Sequence, residues 1–442
     1  MMPLIWWLFG IVAVVAFFNG SKTLINSWSK LNEKSFLKRL FWTAFAIRAI
    51  YAIIMYFLYQ ALTGAPFEYF AGDAAFYNSI SRFGADRLLE GKFDLFTEFR
   101  TQDSGIAFSD MGYPYLLSVI YVFVFKSILL ARIVKAFFGA WMCVLVFKIA
   151  FRNFDDKVAR MSAIFCMLMP NFIYYTALHV KEAEMVFLTV WFIERADYLM
   201  RGNDFSFKAI LPILLIGGFL FMFRTALGAT AMFSLFTTVF LTSKRVLKMQ
   251  KKIVLGIWVV ATIGFFIGGT ISTEIEQLWN SRVGVKEAGM KEMETRVGGN
   301  TLVKYVAGVS FAPFIFVIPF PTMVSIPFQE NQQLLHGGYY VKNIMAFFVI
   351  IAFYTVIKQK RWRDYLLLGS FVIGYLLVIS FSRFAASERF HLPALPFILI
   401  LAAYGITQVT SKQKEYYNWW MIFIFIVIIG WSWFKLAGRG LA

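Results

Sequence analysis

The stretch Phe41–Leu62, FWTAFAIRAIYAIIMYFLYQAL, decides the fold. It is 22 residues of almost wholly apolar sequence without proline or glycine. As a helix it would be about 33 Å long, enough to cross the roughly 30 Å hydrocarbon core of a bilayer. Eleven further apolar runs are read the same way: 3–18, 128–150, 158–177, 183–199, 207–222, 227–243, 252–271, 340–358, 363–380, 391–408 and 418–436. The runs are long and lack period-2 alternation, which excludes membrane strands. The chain therefore reads as an all-α polytopic membrane protein of about 12 transmembrane helices.

Composition agrees. Of 442 residues, 60% are apolar, 19% aromatic and 15% charged, against about 25% charged in soluble domains. This excludes a soluble enzyme, a disordered tail and a small disulfide scaffold. The net charge of +18 does not signal nucleic acid, because Lys and Arg gather in short clusters between apolar runs. Cys143 and Cys166 both fall inside apolar runs. They read as buried free thiols rather than a disulfide or zinc site. Residues 3–18 lack a preceding basic flank and read as a first membrane helix, not a cleaved signal.

Three basic loops set the orientation. Residues 20–40 carry Lys22, Lys30, Lys34, Lys38 and Arg39; 244–252 carry Lys244, Arg245, Lys248, Lys251 and Lys252; 358–364 carry Lys358, Lys360, Arg361 and Arg363. Alternating the runs places all three on one side, expected to be cytoplasmic. The opposite side then receives two long segments, 63–127 and 272–339. Loops this long are usually functional or disordered, and their frequent aromatics argue against disorder. Four regions follow. An extra N-terminal helix and basic loop occupies 1–40, and a transmembrane core with external loop 63–127 occupies 41–271. An external lid or acceptor region spans 272–339, and C-terminal membrane helices span 340–442.

The first external loop opens with Tyr69-Phe-Ala-Gly-Asp-Ala-Ala-Phe-Tyr77. Asp73 lies within one or two turns of the membrane surface. It reads either as the cap of a helix beginning at Ala74 or as a general base, an ionised carboxylate held near a reacting group. Asp110-Met-Gly-Tyr-Pro-Tyr-Leu-Leu-Ser-Val-Ile-Tyr121 follows. Its apolar stretch 113–125 is short for a span, and counting it would reverse every later loop. It is expected as a juxtamembrane helix with Pro114 in its first turn.

Three later segments carry polar groups at external helix ends. They are Pro170-Asn-Phe-Ile-Tyr-Tyr-Thr-Ala-Leu-His-Val-Lys-Glu-Ala-Glu184, Gly217-Gly-Phe-Leu-Phe-Met-Phe-Arg-Thr-Ala226, and Arg389-Phe-His-Leu-Pro-Ala-Leu-Pro396 with the apolar run after it. Together with the first loop, these four motifs, in this order over about 41–410, resemble GT-C superfamily glycosyltransferases. The protein O-mannosyltransferases and lipid A aminoarabinose transferases are the nearest in pattern. Gly-Asp stands where the mannosyltransferases have paired acids, and an extra helix precedes the usual first span.

The resemblance implies a GT-C-like bundle whose two long external loops bear juxtamembrane helices. It implies a polyprenyl-phosphate-linked sugar donor, a glycan, lipid or protein acceptor, and an inverting reaction with Asp73 as base. It also implies a multi-pass location, bacterial inner membrane by family, with the active site facing the periplasm or exterior. On that pattern Glu182 orients the donor sugar, and Arg224, Arg389, His391 and Lys181 meet its phosphate. Arg suits phosphate because its planar fork donates two bonds at once. The competing reading of these cations is snorkelling to headgroups. Glu182 also reads as a helix-start carboxylate favoured by the dipole. Glu182 and Glu184 are two apart, so one of them is expected to face the site. Tyr113, Tyr175 and His336 are the acceptor or lid candidates, and Gln329, Glu330 and Asn331 are further polar candidates. A zinc site is not expected, since His179 has no second His or Cys at ligand spacing. The resemblance admits a divalent cation between Asp73 and Glu182, because some members of the superfamily depend on metal and others do not. In the second long segment, 274–296 reads as a surface or interfacial helix. Phe311–Pro321, with three prolines, cannot form a regular helix. Two rival readings stand beside this one: a polymerase or ligase taking a diphosphate-linked donor, and a transporter or flippase.

Overall fold

The computed structural model describes residues 2–101, 106–202, 206–242, 300–302, 314–323, 335–382 and 385–441, with isolated positions between 249 and 326. The run 252–271, the expected helix 274–296, Gln329, Glu330 and Asn331 lie wholly or mostly outside the described residues. Among the described residues there is no strand.

The helices in chain order are α1 (Met2–Trp28), α2 (Glu33–Thr63), α3 (Gly72–Leu89), α4 (Leu95–Thr101), α5 (Gly112–Phe123), α6 (Ile128–Asn153), α7 (Asp156–Leu168), α8 (Pro170–Ala177), α9 (Glu182–Arg201), α10 (Phe207–Phe223), α11 (Thr225–Leu241), α12 (His336–Lys358), α13 (Leu366–Ser380), α14 (Glu388–Gln408) and α15 (Ser411–Ala437). Each expected apolar run other than 252–271 falls on helical sequence. Among the described residues five helices, α2, α6, α12, α14 and α15, are long and apolar enough to cross a membrane. They account for five of the twelve expected spans, and α5, α10, α11 and α13 are shorter apolar helices of 10–17 residues. Helix α5 has 12 residues, or about 18 Å, too short to span, and Pro114 sits in its first turn. Among its described residues the loop 63–127 folds into α3, α4 and α5 with a 3₁₀ turn, Phe108–Asp110.

The chain forms two compact units. One comprises residues 20–199 and 204–231; the other comprises 1–19, 200–203 and 232–442.

In the first unit, α2 packs on α6, α6 on α7, and α3 on α5. The run 158–177 is broken between α7 and α8 by Pro170. Proline lacks an N–H and displaces the carbonyl four residues earlier, here that of Cys166. A side chain from α2 repairs the gap. Arg48, fully buried, donates to Cys166 O at 3.0 Å and Met167 O at 3.3 Å, and to its own helix at Ala44 O, 3.2 Å. Gly139 on α6 leaves the room: a Cβ there would stand 2.8 Å from the Arg48 side chain. At the other end of α6, Arg152 donates to Asp197 at 2.7 Å and Glu194 at 2.9 Å, with Asn153 on Asp197 at 3.0 Å. Gly112 at the start of α5 lies so close to Met222 and Phe223 that a Cβ would approach the Phe223 ring to 2.5 Å. Any side chain here would push α5 off the end of α10.

In the second unit α12 and α14 form the most extensive helix pair. At Gly405 the two backbones meet, and a Cβ would fall 1.9 Å from Phe348 O. Residues 314–323 are irregular, as their prolines require. Asn343 donates to Val317 O at 2.5 Å and Pro319 O at 3.2 Å, and Lys342 donates to Ile318 O. These bonds satisfy carbonyls that a helix would have paired internally, while Ile315, Val317, Ile318 and Phe320 are buried.

Candidate functional site

In the first unit, polar side chains converge where α2, α8 and α10 end and α6 and α9 begin. Lys135, about two turns into α6, is 2% exposed. It donates to Leu178 O at 2.9 Å and Val180 O at 2.6 Å, contacts the Tyr113 hydroxyl at 3.3 Å, and pairs with Glu184 at 3.3 Å. The connection between α8 and α9 is thereby drawn onto α6, which sets the direction of His179, Lys181 and Glu182.

Lys181 bonds the Asp110 carboxylate and donates to Phe223 O at 2.9 Å. Asp110 also accepts from the Tyr77 hydroxyl at 3.4 Å. Burial pulls the Lys181 ammonium below the usual lysine range; Arg224 adds to the fall and Asp110 opposes it. Arg224 caps α10 in an extended conformation, φ −168°, and is half-buried at the junction with α11. Asp110, Lys181 and Arg224 thus form one electrostatic group at the foot of α5.

Glu182 and Glu184 open α9, and both are buried. Sequence spacing suggested that one of the two would face the site. Glu184 turns to Lys135, while Glu182 occupies a separate position at the first residue of α9. Tyr113 is buried against Tyr77, ring centroids 5.1 Å apart and edge-on, with Lys135 5.1 Å from its ring. Tyr175 is buried edge-on to Tyr174 at 5.3 Å.

Asp73 is exposed in the first turn of α3. Helix α3 begins at Gly72 with Ala71 as its cap, and no side chain makes a capping bond. The expected helix start at Ala74 is therefore two residues early in the structure, and Asp73 stands inside the first turn, where the helix dipole favours a carboxylate.

Arg389, His391 and His336 belong to the second unit. His391 is buried; its Nδ1 meets Lys342 Nζ at 3.0 Å and its Nε2 donates to Ala385 O at 2.7 Å. Both ring nitrogens are engaged, so the imidazole builds the α12–α14 junction beside buried Glu388. Arg389 is half-buried on the same turn. His336 is buried and bonds Thr322 at 3.2 Å, joining α12 to the 314–323 segment.

Among the described residues no three His, Cys, Asp or Glu side chains converge as metal ligands. Three site residues received no role from the sequence. Asp110 stood in a quoted motif without a role, and Lys135 lies inside the apolar run 128–150. Glu184 shared its motif with Glu182, and only the ion pair to Lys135 separates them.

No family model and no curated protein matches the chain. Three solved structures resemble it, all of the oligosaccharyltransferase of the archaeon Archaeoglobus fulgidus, AglB. The complex with zinc and sulfate is 12% identical with a TM-score of 0.43, covering 90% of this chain and 53% of that one. The complex with an inhibitory peptide and dolichol-phosphate is 12% identical, TM-score 0.46, covering 91% and 55%. The form tethered to an acceptor peptide with an NVT sequon is 14% identical, TM-score 0.45, covering 93% and 56%. The chain spans about half the length of those enzymes. The likeness is too distant to carry residue roles across.

Proposed function

We propose that the chain is an integral membrane glycosyltransferase of GT-C type. It transfers a sugar from a polyprenyl-phosphate donor to a glycan, lipid or protein acceptor at the non-cytoplasmic face of a bacterial inner membrane. The observation that carries this reading is the grouping of Asp110, Lys181 and Arg224 beside the Lys135–Glu184 pair and Glu182. A lipid phosphate leaving group requires cations at a helix-end interface, and a reacting sugar requires carboxylates nearby. The four motifs in GT-C order support the same reading.

In this reaction the Asp73 carboxylate accepts the proton of an acceptor hydroxyl or amine. That atom attacks the anomeric carbon from the face opposite the phosphate, the sugar–phosphate C–O bond breaks, and the configuration inverts. Arg224 stabilises the departing polyprenyl phosphate, with Lys181 adding positive charge behind it. Glu182 orients the donor sugar. Tyr113 and Tyr175 line the acceptor approach, and within its own unit His336 holds the 314–323 segment. A general base contributes about 10²–10⁴-fold, and charge stabilisation of the leaving group more.

Binding tests the donor class. Purified protein in nanodiscs should bind farnesyl phosphate saturably, and Arg224→Ala should weaken it about tenfold or more, as expected for a charged hydrogen bond. Preference for farnesyl diphosphate, or no binding of either, contradicts the proposal.

A further inference from the structure

The proposed reaction leaves His179 unused, yet its hydrogen bonding is fully determined. Arg82 Nε, which can only donate, lies 3.3 Å from one side-chain atom of Asn78, so that atom is the oxygen Oδ1. The Tyr121 hydroxyl lies 2.6 Å from the same oxygen and must give it its single proton. Tyr121 therefore has only lone pairs left for His179 Nε2, 3.0 Å away, and Nε2 must carry the imidazole proton. Nδ1 is then a bare acceptor. It is buried, and no donor among the described residues reaches it. The His179 side chain as a whole is 1% exposed.

A complementary group stands nearby. Arg132, at the start of the second turn of α6, is fully buried and gives one Nη2 bond to Pro66 O. Its Nε and Nη1 have no acceptor among the described residues. The Arg132 charge is felt at His179. One chain segment covers both groups: Pro66 lies on Arg132, and Phe67 lies against the His179 ring at 6.0 Å. That segment ends in Gly64 and Phe70, both with positive φ, 77° and 57°.

Buried polar groups are almost always paired, and here the Arg132 guanidinium, which feels the Glu68 charge, and the acceptor-only His179 nitrogen both keep atoms without a hydrogen-bond partner among the described residues beneath one segment. A hydroxyl is one donor and two acceptors in a single atom, and it satisfies both. We infer that Arg132 and His179 form a subsite for a sugar hydroxyl, entered when the 64–71 connection lifts. This inference rests on the proposed lipid-linked sugar donor and names where one of its hydroxyls docks.

The chain has three histidines, so imidazole ¹⁵N spectra of the selectively labelled protein in nanodiscs can be assigned with His179→Asn. Farnesyl phosphate and a panel of farnesyl phosphates carrying mannose, glucose or arabinose are the probes. We expect His179 as the Nε2–H tautomer, with the bare Nδ1 signal moving on binding of at least one sugar-bearing probe and staying with farnesyl phosphate alone. Arg132→Gln should weaken that probe about tenfold or more while changing farnesyl phosphate binding less than about threefold. An Nδ1–H tautomer overturns the subsite whatever the variant does. Sugar-bearing probes that bind without moving Nδ1 also overturn it, leaving the lipid-phosphate reading intact. If no probe binds, the proposed function fails and the subsite falls with it.

Discussion

Lys135 and Glu184 form an ion pair at 3.3 Å with each side chain 2% exposed. Removing one member of such a pair leaves the other charge buried and unmatched, at a cost of about 3–5 kcal/mol. Glu184→Gln should lower thermal stability by that order. Cys143 and Cys166, both fully buried, report unfolding through a thiol-reactive dye. A melting curve unchanged by Glu184→Gln would show that the pair does not hold α6 to α9.

Arg48→Met should destabilise the first unit by about 1–3 kcal/mol for each carbonyl left unpaired at the Pro170 break. The same dye reads this from its own site, since both thiols lie against the Arg48 side chain or its acceptors. Pro170→Ala in the Arg48→Met background should recover part of the loss, because alanine restores a backbone N–H at that position for the Cys166 carbonyl. No recovery would place the function of Arg48 elsewhere.

Much of this architecture is readable from the residues alone. Run length locates the helices, and the short stretch 113–125 is recognisable as a helix that does not span. The prolines of 311–321 announce irregular backbone. The break at Pro170 is different: proline inside an apolar run marks a possible kink, but its repair depends on Arg48, more than a hundred residues away in the chain. The site divides the same way. Glu182, Lys181 and Arg224 stand in recognisable motifs. The partners that orient them, Asp110 on Lys181 across 71 positions and Lys135 on the Leu178 and Val180 carbonyls, exist only once helices pack. Spacing rules for one helix say nothing of contacts between helices.

His179 gives a pH signature. Burial, followed by the charges of Lys135, Arg132 and Arg82, holds its imidazole well below the usual 6.5. Above about pH 6.5 it is neutral in both folded and unfolded chains and contributes no slope. Below that, the unfolded chain takes up a proton that the folded chain refuses, so stability falls as pH drops, by up to about 1.4 kcal/mol per unit. The difference in unfolding free energy between wild type and His179→Asn should therefore change with pH below 6.5 and level off above it. A difference independent of pH between 4.5 and 7.5 would show that His179 is protonated in the folded chain.

The central claim is that Asp73 is the base of a sugar transfer. Its side chain is exposed, so Asp73→Asn should leave the melting curve within about 0.5 kcal/mol of wild type. The deciding measurement is turnover of a polyprenyl-phosphate-linked sugar onto acceptors in native membranes, with farnesyl phosphate binding measured in parallel. Asp73→Asn is predicted to bind farnesyl phosphate like wild type and to transfer sugar about 10²–10⁴ times more slowly. Transfer at a near wild-type rate by the Asn variant would contradict the account.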